Sequence, residues 1–176
     1  EDSFRRMQTR ICKLLNGDGA TAVERLALVT ECPRLGAGGE LILSKWLDEH
    51  PESRLVVIDT LQRFRPWRRR SSDSYEEDYE ALQPILTETK RRDITIVVVH
   101  HLRKLSGGDD VFDTVSGTLG LTGAVDGTMV LQRVRGKPDA TLHVVGRDLP
   151  DDLELGLGWD AQTATWRVTG RARDLL

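Results

Sequence analysis

The stretch LVVIDTLQRFR, residues 55–65, decides the fold. It begins with a run of apolar residues and then meets an acid and a hydroxyl, Asp59 and Thr60. A short, wholly apolar run of this kind is typical of a strand in a parallel sheet that is covered on both faces. A carboxylate at the end of such a strand costs free energy unless it holds a cation or several hydrogen-bond donors. The central question of this sequence is therefore what Asp59 faces.

A second apolar run, ITIVVVHH at residues 94–101, also ends on polar side chains, here His100 and His101. Because ligands bind beyond the carboxyl ends of the strands in an open parallel sheet, we predict Asp59 and the histidines at one binding edge. Mg²⁺ on a nucleotide is a common partner of such a carboxylate. The alternative interpretation is structural, with Asp59 as a turn acid and the histidines as surface or turn residues. Zinc bound by Glu1, Asp59 and His101 is a weaker alternative, because no known ligand spacing joins them.

The rest of the pattern predicts a βαβ body followed by an antiparallel meander. Helices are predicted at 3–16, 40–50 and 75–93, with a kink or a new start at Pro84, and a further short strand at 25–33. Four strands with tight turns follow between residues 127 and 170, namely GTMVLQRV, ATLHVVGRD, LELGLGWD and ATWRVTG. The predicted fold class is α/β, with mostly parallel strands covered by helices and a C-terminal antiparallel meander.

Length and composition indicate one soluble globular domain over residues 1–176, with 39% hydrophobic and 30% charged residues. The net charge of −3 gives no overall field for nucleic acid, so any basic site is local. No apolar run reaches the roughly 20 residues of a membrane span, so we predict no membrane association. The two cysteines show no metal-ligand or redox spacing, and Cys12 is predicted to be a buried reduced thiol, consistent with a cytoplasmic protein.

A basic segment, RFRPWRRRSSDS at residues 63–74, directly follows the strand that ends on Asp59. Arginine supplies phosphate contacts and tryptophan a face on which a base can stack. We therefore predict that it contacts nucleic acid through Arg65, Trp67, Arg68, Arg69 and Arg70. The alternative is a solvated loop whose arginines pair with the acids of SDSYEEDYE. A second loop, residues 103–117, begins with Arg103 and Lys104 and has the composition of a segment that orders on binding.

These motifs together resemble the RecA-like ATPases. An opening ED followed by a helix, then LVVIDTLQRFR, IVVVHHLRK and a G-[ST]-x-x-L motif, are most similar to the hexameric replicative helicases of the plasmid RepA type and their relatives. The similarity extends over residues 1 to about 130. It implies a RecA-like core, ATP and Mg²⁺ as cofactors, and a homo-oligomeric ring, a hexamer, that acts on single-stranded DNA during replication.

The resemblance also implies roles for single residues. Glu1 matches the carboxylate that orients the attacking water. Asp59 matches the Walker B acid that holds Mg²⁺ through water, and Thr60, which follows it, is predicted to bind the nucleotide together with Asp59. His101 matches the sensor of the γ-phosphate. The arginine-rich segment and the 103–117 loop match the two loops that line the channel of the ring and grip DNA.

A looser resemblance assigns the arginine finger, the residue that one subunit supplies to the nucleotide of its neighbour. In the plasmid helicases it falls where this chain has Asp126. In DnaB-type helicases it lies in a strand-end K-x-R-N-G, to which VVGRDLP is similar, with Arg147 at the arginine. Arg147 is thus the predicted finger. The alternative is a hairpin arginine that pairs with Asp148 or Asp151.

The predicted function is an ATPase, a single-stranded-DNA helicase of the replicative type. No G-x-x-x-x-G-K-[ST] phosphate-binding motif occurs in the sequence, so we expect it before Glu1 and expect residues 1–176 alone to be inactive. Two alternatives stay open. One is a regulatory or defence ATPase without unwinding activity, and the other is a non-catalytic module that binds nucleic acid or a partner.

Overall fold

A computed structural model gives the fold and describes residues 4–15, 25–67, 74–102, 111–115, 119–133, 136–137 and 139–171. The chain divides into two compact units. The central unit is Glu31–Val125, and the terminal unit combines Glu1–Thr30 with Asp126–Leu176.

The secondary structure mixes helices and strands up to residue 124 and then continues as strands alone. In chain order the elements are α1 (Phe4–Leu14), α2 (Gly39–Glu49), β1 (Leu55–Asp59), α3 (Leu61–Phe64), α4 (Ser74–Arg92), β2 (Thr95–Val99), a 3₁₀ turn (Val111–Thr114), α5 (Leu119–Ala124), β3 (Gly127–Arg133), β4 (Ala140–Gly146), β5 (Leu153–Asp160) and β6 (Thr165–Arg171). This order confirms the predicted α/β class. Pro84 lies inside the single helix α4, so it does not begin a new helix.

The two strands of the central unit, β1 and β2, form a parallel pair. Their register runs from Leu55 opposite Thr95 to Asp59 opposite Val99. Parallel neighbours need a long crossover, and α3 and α4 lie in the connection between these two strands. Both strands therefore end at the same edge of the sheet.

The core of the central unit lies on one side of this sheet. Its buried residues are Leu35, Leu61, Phe64, Leu82, Ile85 and Leu121. The sheet residues that pack against them are Ile58, Ile96 and Val98. Leu55 and Val57, on the opposite face of β1, are 57% and 58% exposed. The prediction of a strand covered on both faces is thus met on one face only by the described residues.

A polar network ties α2 to α4 at the far end of the same unit. Arg92 donates to Glu88 at 2.6 Å, to Asp48 at 2.7 Å and to the backbone oxygen of Ser44 at 3.0 Å. The hydrogen bond from Arg92 lowers the pKa of Asp48 below its ordinary value. This network holds α4, which connects β1 to β2, against α2.

The terminal unit contains the predicted antiparallel meander, with strand order β3-β4-β5-β6. Val130, Ala140 and Leu157 are its buried apolar residues, and Trp159 packs on Trp166 with ring centroids 4.8 Å apart. The β5–β6 turn is closed by Asp160, whose Oδ1 accepts the backbone amides of Gln162 at 2.9 Å and Thr163 at 3.2 Å. The meander boundaries agree with the sequence pattern to within one or two residues.

Two local predictions are wrong. Residues 25–33 are irregular rather than the predicted strand, because no described strand pairs with them and the chain turns soon after Pro33. Cys12 is exposed rather than buried, and α1 has no buried residue among those described.

Candidate functional site

Asp59 is the last residue of β1 and lies at the exposed end of an otherwise apolar strand. Among the residues that the structure describes, none donates a hydrogen bond to its carboxylate or forms an ion pair with it. Thr60 follows through a cis peptide bond and is only 6% exposed. Its carbonyl accepts the amides of Arg63 at 3.0 Å and Phe64 at 3.3 Å, which begins the single turn α3. The carboxylate is therefore held at the sheet edge by buried neighbours, with its oxygens available to a ligand.

The histidine pair follows β2 at the same edge. The strand ends at Val99, so His100 and His101 lie just beyond it rather than inside it as predicted. A ring nitrogen of His100, Nδ1, lies 2.7 Å from the backbone oxygen of His101. Since a carbonyl only accepts, Nδ1 carries the proton in this contact. His101 makes no such side-chain contact with a described residue, and it is exposed.

The register brings these groups together. Asp59 pairs with Val99, and adjacent strands lie roughly 5 Å apart, so the carboxylate and the two histidines share one short edge. This is the edge where an α/β sheet binds its ligands. Of the predicted site residues, Asp59, Thr60 and His101 thus lie near one another in space, at the adjacent ends of β1 and β2.

The donor set at this edge fits Mg²⁺. Mg²⁺ is usually bound by one or two carboxylates together with water and phosphate oxygens, and Asp59 offers an uncommitted carboxylate. Within the described ranges, no group of three or more His, Cys, Asp or Glu side chains could hold a metal ion alone. A single acid with water and phosphate is therefore the arrangement that the described residues support.

The basic segment after α3 divides into a buried and an exposed part. Arg65 is only 4% exposed, because its backbone closes α3 and its side chain lies within the unit. That position differs from the exposed phosphate contact predicted for it. Trp67 is 78% exposed, as a stacking surface requires. The remaining predicted contacts, Arg68, Arg69, Arg70, Arg103 and Lys104, lie outside the described residues, as does Glu1.

Arg147 lies in the terminal unit, directly after β4. Its guanidinium pairs with Asp126 at 3.0 Å, and its backbone amide donates to the Asp126 carbonyl at 2.8 Å. The sequence alternative proposed Asp148 or Asp151 as the partner, so the acid is a different one. Both side chains of the pair are mostly exposed, at 66% and 84%, and such a pair contributes about 1 kcal/mol or less.

Sequence reasoning missed Arg34. Its guanidinium lies 4.0 Å from the centre of the Trp67 ring and donates to the backbone oxygens of Gln62 and Arg65, each at 3.0 Å. The only available signal was an arginine between Pro33 and the glycine-rich LGAGG, a position that no pattern connects to Trp67.

Comparison with known proteins gives the class. A family model described as the AAA domain matches residues 1–107, more than half of the chain, and the chain belongs to this family. Among solved structures, the ATPase domain of another protein is similar with a TM-score of 0.71 and 12% identity, over 94% of this chain and 71% of that one.

A DnaB-like replicative helicase, whose structure was described with its interactions with primase, gives a TM-score of 0.67 at 12% identity. The match covers 94% of this chain and 49% of that one, so the chain spans about half the length of that helicase. No curated protein matches the sequence. The similarities confirm the predicted RecA-like fold, that of replicative helicase ATPase domains.

No helix in the described part of the chain combines the length and the apolar character that a membrane-spanning helix requires.

Proposed function

We propose that the protein is an ATP-hydrolysing motor of the RecA-like class, a ring helicase that acts on single-stranded DNA. The observation that carries the proposal is the register of the parallel pair. It sets Asp59, whose carboxylate has no partner among the described residues, opposite Val99 at the end of β2, two residues before His101, in a chain of the AAA domain family. Phosphoryl transfer needs positioned groups and charge neutralisation rather than a covalent nucleophile. This edge offers a carboxylate for Mg²⁺ and a histidine for a phosphate oxygen.

Three residues at the edge, Asp59, Thr60 and His101, take a part in this proposal, together with Glu1 from the sequence resemblance. Asp59 would hold Mg²⁺ through water, and the ion would supply neutralisation of the phosphate charge. Glu1 accepts a hydrogen bond from the attacking water and orients it, a role supported by the sequence resemblance. His101 donates a hydrogen bond to the γ-phosphate. Thr60 is only 6% exposed and its carbonyl begins α3, so in this proposal it positions the backbone beside Asp59 and does not bind the nucleotide as predicted.

The nucleic-acid contact is proposed for the two basic segments that follow β1 and β2 in the sequence, residues 63–74 and 103–117. Trp67 offers an exposed ring for an unpaired base, and Arg68, Arg69, Arg70, Arg103 and Lys104 offer cations for phosphates. Arg65 is left out of this surface because it is buried. These segments closely follow Asp59 and His101 in the sequence, so DNA bound to them would lie near the proposed nucleotide site.

The ring itself is proposed from the resemblance to hexameric helicases and the fold shared with a DnaB-like replicative helicase. Arg147 is proposed to reach the nucleotide bound by a neighbouring copy. Its exposed pair with Asp126 is weak, so exchanging Asp126 for a phosphate costs little. We place this ring in the cytoplasm, without a membrane.

The test uses the intact protein, with ATP hydrolysis measured with and without Mg²⁺ and single-stranded DNA, and strand separation measured on a forked duplex. The proposal expects Mg²⁺-dependent hydrolysis, stimulation by DNA, and unwinding. Stimulated hydrolysis without unwinding would instead indicate a regulatory or defence ATPase. Absence of hydrolysis would indicate a non-catalytic binding module.

A further inference from the structure

Arg34 holds the C-terminal end of α3. One guanidinium nitrogen, Nη1, donates to the carbonyls of Gln62 and Arg65, each at 3.0 Å, and the amide of Leu35 donates to the Phe64 carbonyl at 2.7 Å. The last carbonyls of a helix lack partners within the helix and carry partial negative charge, so a cation there satisfies both needs. Three carbonyls in or next to this short turn are bound by two consecutive residues.

The same guanidinium forms the floor under Trp67. Its central carbon lies 4.0 Å from the centre of the indole ring, within the range of a cation–π contact. Trp67 is nevertheless 78% exposed, so the opposite face of the ring is open to solvent. An indole fixed on one face and open on the other is the arrangement that a stacking base needs.

Arg34 is itself fixed by the turn that follows it. Its carbonyl accepts the amides of Ala37 and Gly39, both at 3.0 Å, and Leu35 is 2% exposed in the core. A Cβ at Gly39 would lie 2.9 Å from the Arg34 carbonyl, so only glycine allows this close approach. The backbone of Arg34 is thus held in place independently of the contacts that its side chain makes.

The N-terminal end of α3 lies at the sheet edge where Mg²⁺ and nucleotide are proposed to bind. Asp59 ends β1, and Thr60 starts α3 through its carbonyl. Leu61 and Phe64 anchor the turn in the core at 2% and 8% exposure. The single turn α3 therefore connects the proposed Mg²⁺ acid, Asp59, to the segment that carries Trp67.

We infer that Arg34 is a positioning residue that holds Trp67 as a stacking surface for an unpaired base and ties this surface, through α3, to Asp59. The inference rests on the proposed function, because it takes single-stranded nucleic acid as the ligand. It adds a residue to which no sequence motif pointed.

The experiment uses the intact protein with Mg²⁺ and a non-hydrolysable ATP analogue. An oligothymidylate with one 2-aminopurine reports stacking through quenching, and a fluorescein-labelled oligothymidylate reports affinity through anisotropy. Wild type is expected to quench 2-aminopurine on binding. Trp67→Ala is expected to lose most of the quenching and to weaken affinity roughly 5- to 150-fold, the range of one base stack.

Arg34→Gln is expected to reproduce most of both losses, and Arg34→Lys to restore part of the quenching, because lysine keeps the charge but not the planar fork. The double variant Arg34→Gln/Trp67→Ala is expected to be no worse than Trp67→Ala alone, since Arg34 acts through the ring. The matched control is Arg133→Gln, which removes the looser contact with Trp166 at 5.8 Å and should leave quenching unchanged.

Several outcomes overturn the inference. One is full quenching by Arg34→Gln or Arg34→Lys, and another is an Arg34→Gln effect that adds entirely to that of Trp67→Ala. If Arg34→Gln does not fold, Arg34→Lys and Trp67→Ala decide the question, because Trp67 is exposed and its loss leaves the core intact. A wild-type protein that binds no oligonucleotide refutes the proposed function as well. Binding without dependence on Trp67 refutes this inference alone.

Discussion

Two strands of this molecule end on an aspartate, and the two acids have opposite surroundings. Asp160, at the end of β5, accepts backbone amides from Thr163 and Gln162 and a guanidinium hydrogen bond from Arg167 at 3.2 Å. Asp59, at the end of β1, has no such partner among the described residues. Asp160 is thus the turn acid that was the alternative interpretation of Asp59.

The comparison shows one carboxylate that the fold itself uses and one that it leaves without a described partner. The amide hydrogen bonds, first that of Thr163 and then that of Gln162, lower the pKa of Asp160 because they stabilise its charged form. Its charge is already compensated by the turn. Asp59 is exposed and has no such donor among the described residues, so its carboxylate is open to water or to a ligand. The presence or absence of nearby donors distinguishes the two acids better than their position at a strand end.

The largest expected effect concerns the acid assigned to the attacking water. Glu1→Gln in the intact protein should keep nucleotide binding and lower ATP turnover by about 10²-fold or more, because the amide no longer orients the water. Steady-state hydrolysis and nucleotide binding measure the two parts. Asp160→Asn serves as the control and should turn over at the wild-type rate. Hydrolysis by Glu1→Gln at the wild-type rate contradicts the assignment.

The next effect extends the comparison to the aromatic residues of the two units. Trp67→Ala should cost about 1–3 kcal/mol in single-strand affinity, because its ring is exposed for stacking. Trp166→Ala, in the Trp159 pair of the meander, should lower stability and leave affinity unchanged. Anisotropy titrations and thermal unfolding distinguish the two. Equal affinity losses in both variants contradict a local stacking site.

The arginines beside Trp67 sharpen the same point. Replacing Arg68, Arg69 and Arg70 with alanine should weaken binding and flatten its salt dependence, each lost phosphate contact lowering the slope by roughly 0.7. Titrations at several salt concentrations measure this slope. An unchanged slope makes the segment a solvated surface.

The sequence was informative wherever one element determined its own shape. The run that ends at Asp59, the run before His100 and the four meander strands all show the period or apolar character of their elements. The sheet edge followed, because parallel strands must end on one side. The RecA-like class followed from the order of short motifs.

The sequence was uninformative wherever a contact joins distant segments. The pairing of Arg34 with Trp67, and of Arg147 with Asp126 instead of Asp148, depends on how loops close after the strands have paired. The burial of Arg65 depends on the short turn α3, which is too short to leave a period in the sequence. Such contacts have no local pattern, so periodicity could not indicate them.

A smaller effect separates the two histidines beside Asp59. His101→Ala should keep nucleotide binding and lose stimulation of ATP hydrolysis by DNA, because the sensor no longer contacts the γ-phosphate. His100→Ala should keep the stimulation and lose about 1 kcal/mol or less of stability, with the hydrogen bond to the His101 carbonyl. ATPase rates with and without DNA test this. Full stimulation in His101→Ala makes the pair structural.

The smallest effect concerns acid stability at Asp160. A lowered pKa in the fold adds stability that is fully present above the ordinary value of 3.8 and is lost as pH falls through the folded value. Asp160→Asn should therefore be slightly less stable at pH 7 and lose less stability than wild type between pH 5 and 3. Thermal unfolding over this range measures it. Arg167→Gln, which keeps both amide bonds, should show a smaller change than Asp160→Asn.

The central claim, that Asp59 faces Mg²⁺ and nucleotide while Asp160 serves its turn, is tested most directly by Mg²⁺-dependent nucleotide binding. Affinity for a fluorescent ATP analogue is measured with Mg²⁺ and with EDTA in wild type, Asp59→Asn and Asp160→Asn. The account predicts that wild type and Asp160→Asn bind more tightly with Mg²⁺, and that Asp59→Asn loses most of this difference without losing thermal stability. Full Mg²⁺ dependence in a folded Asp59→Asn protein would contradict it.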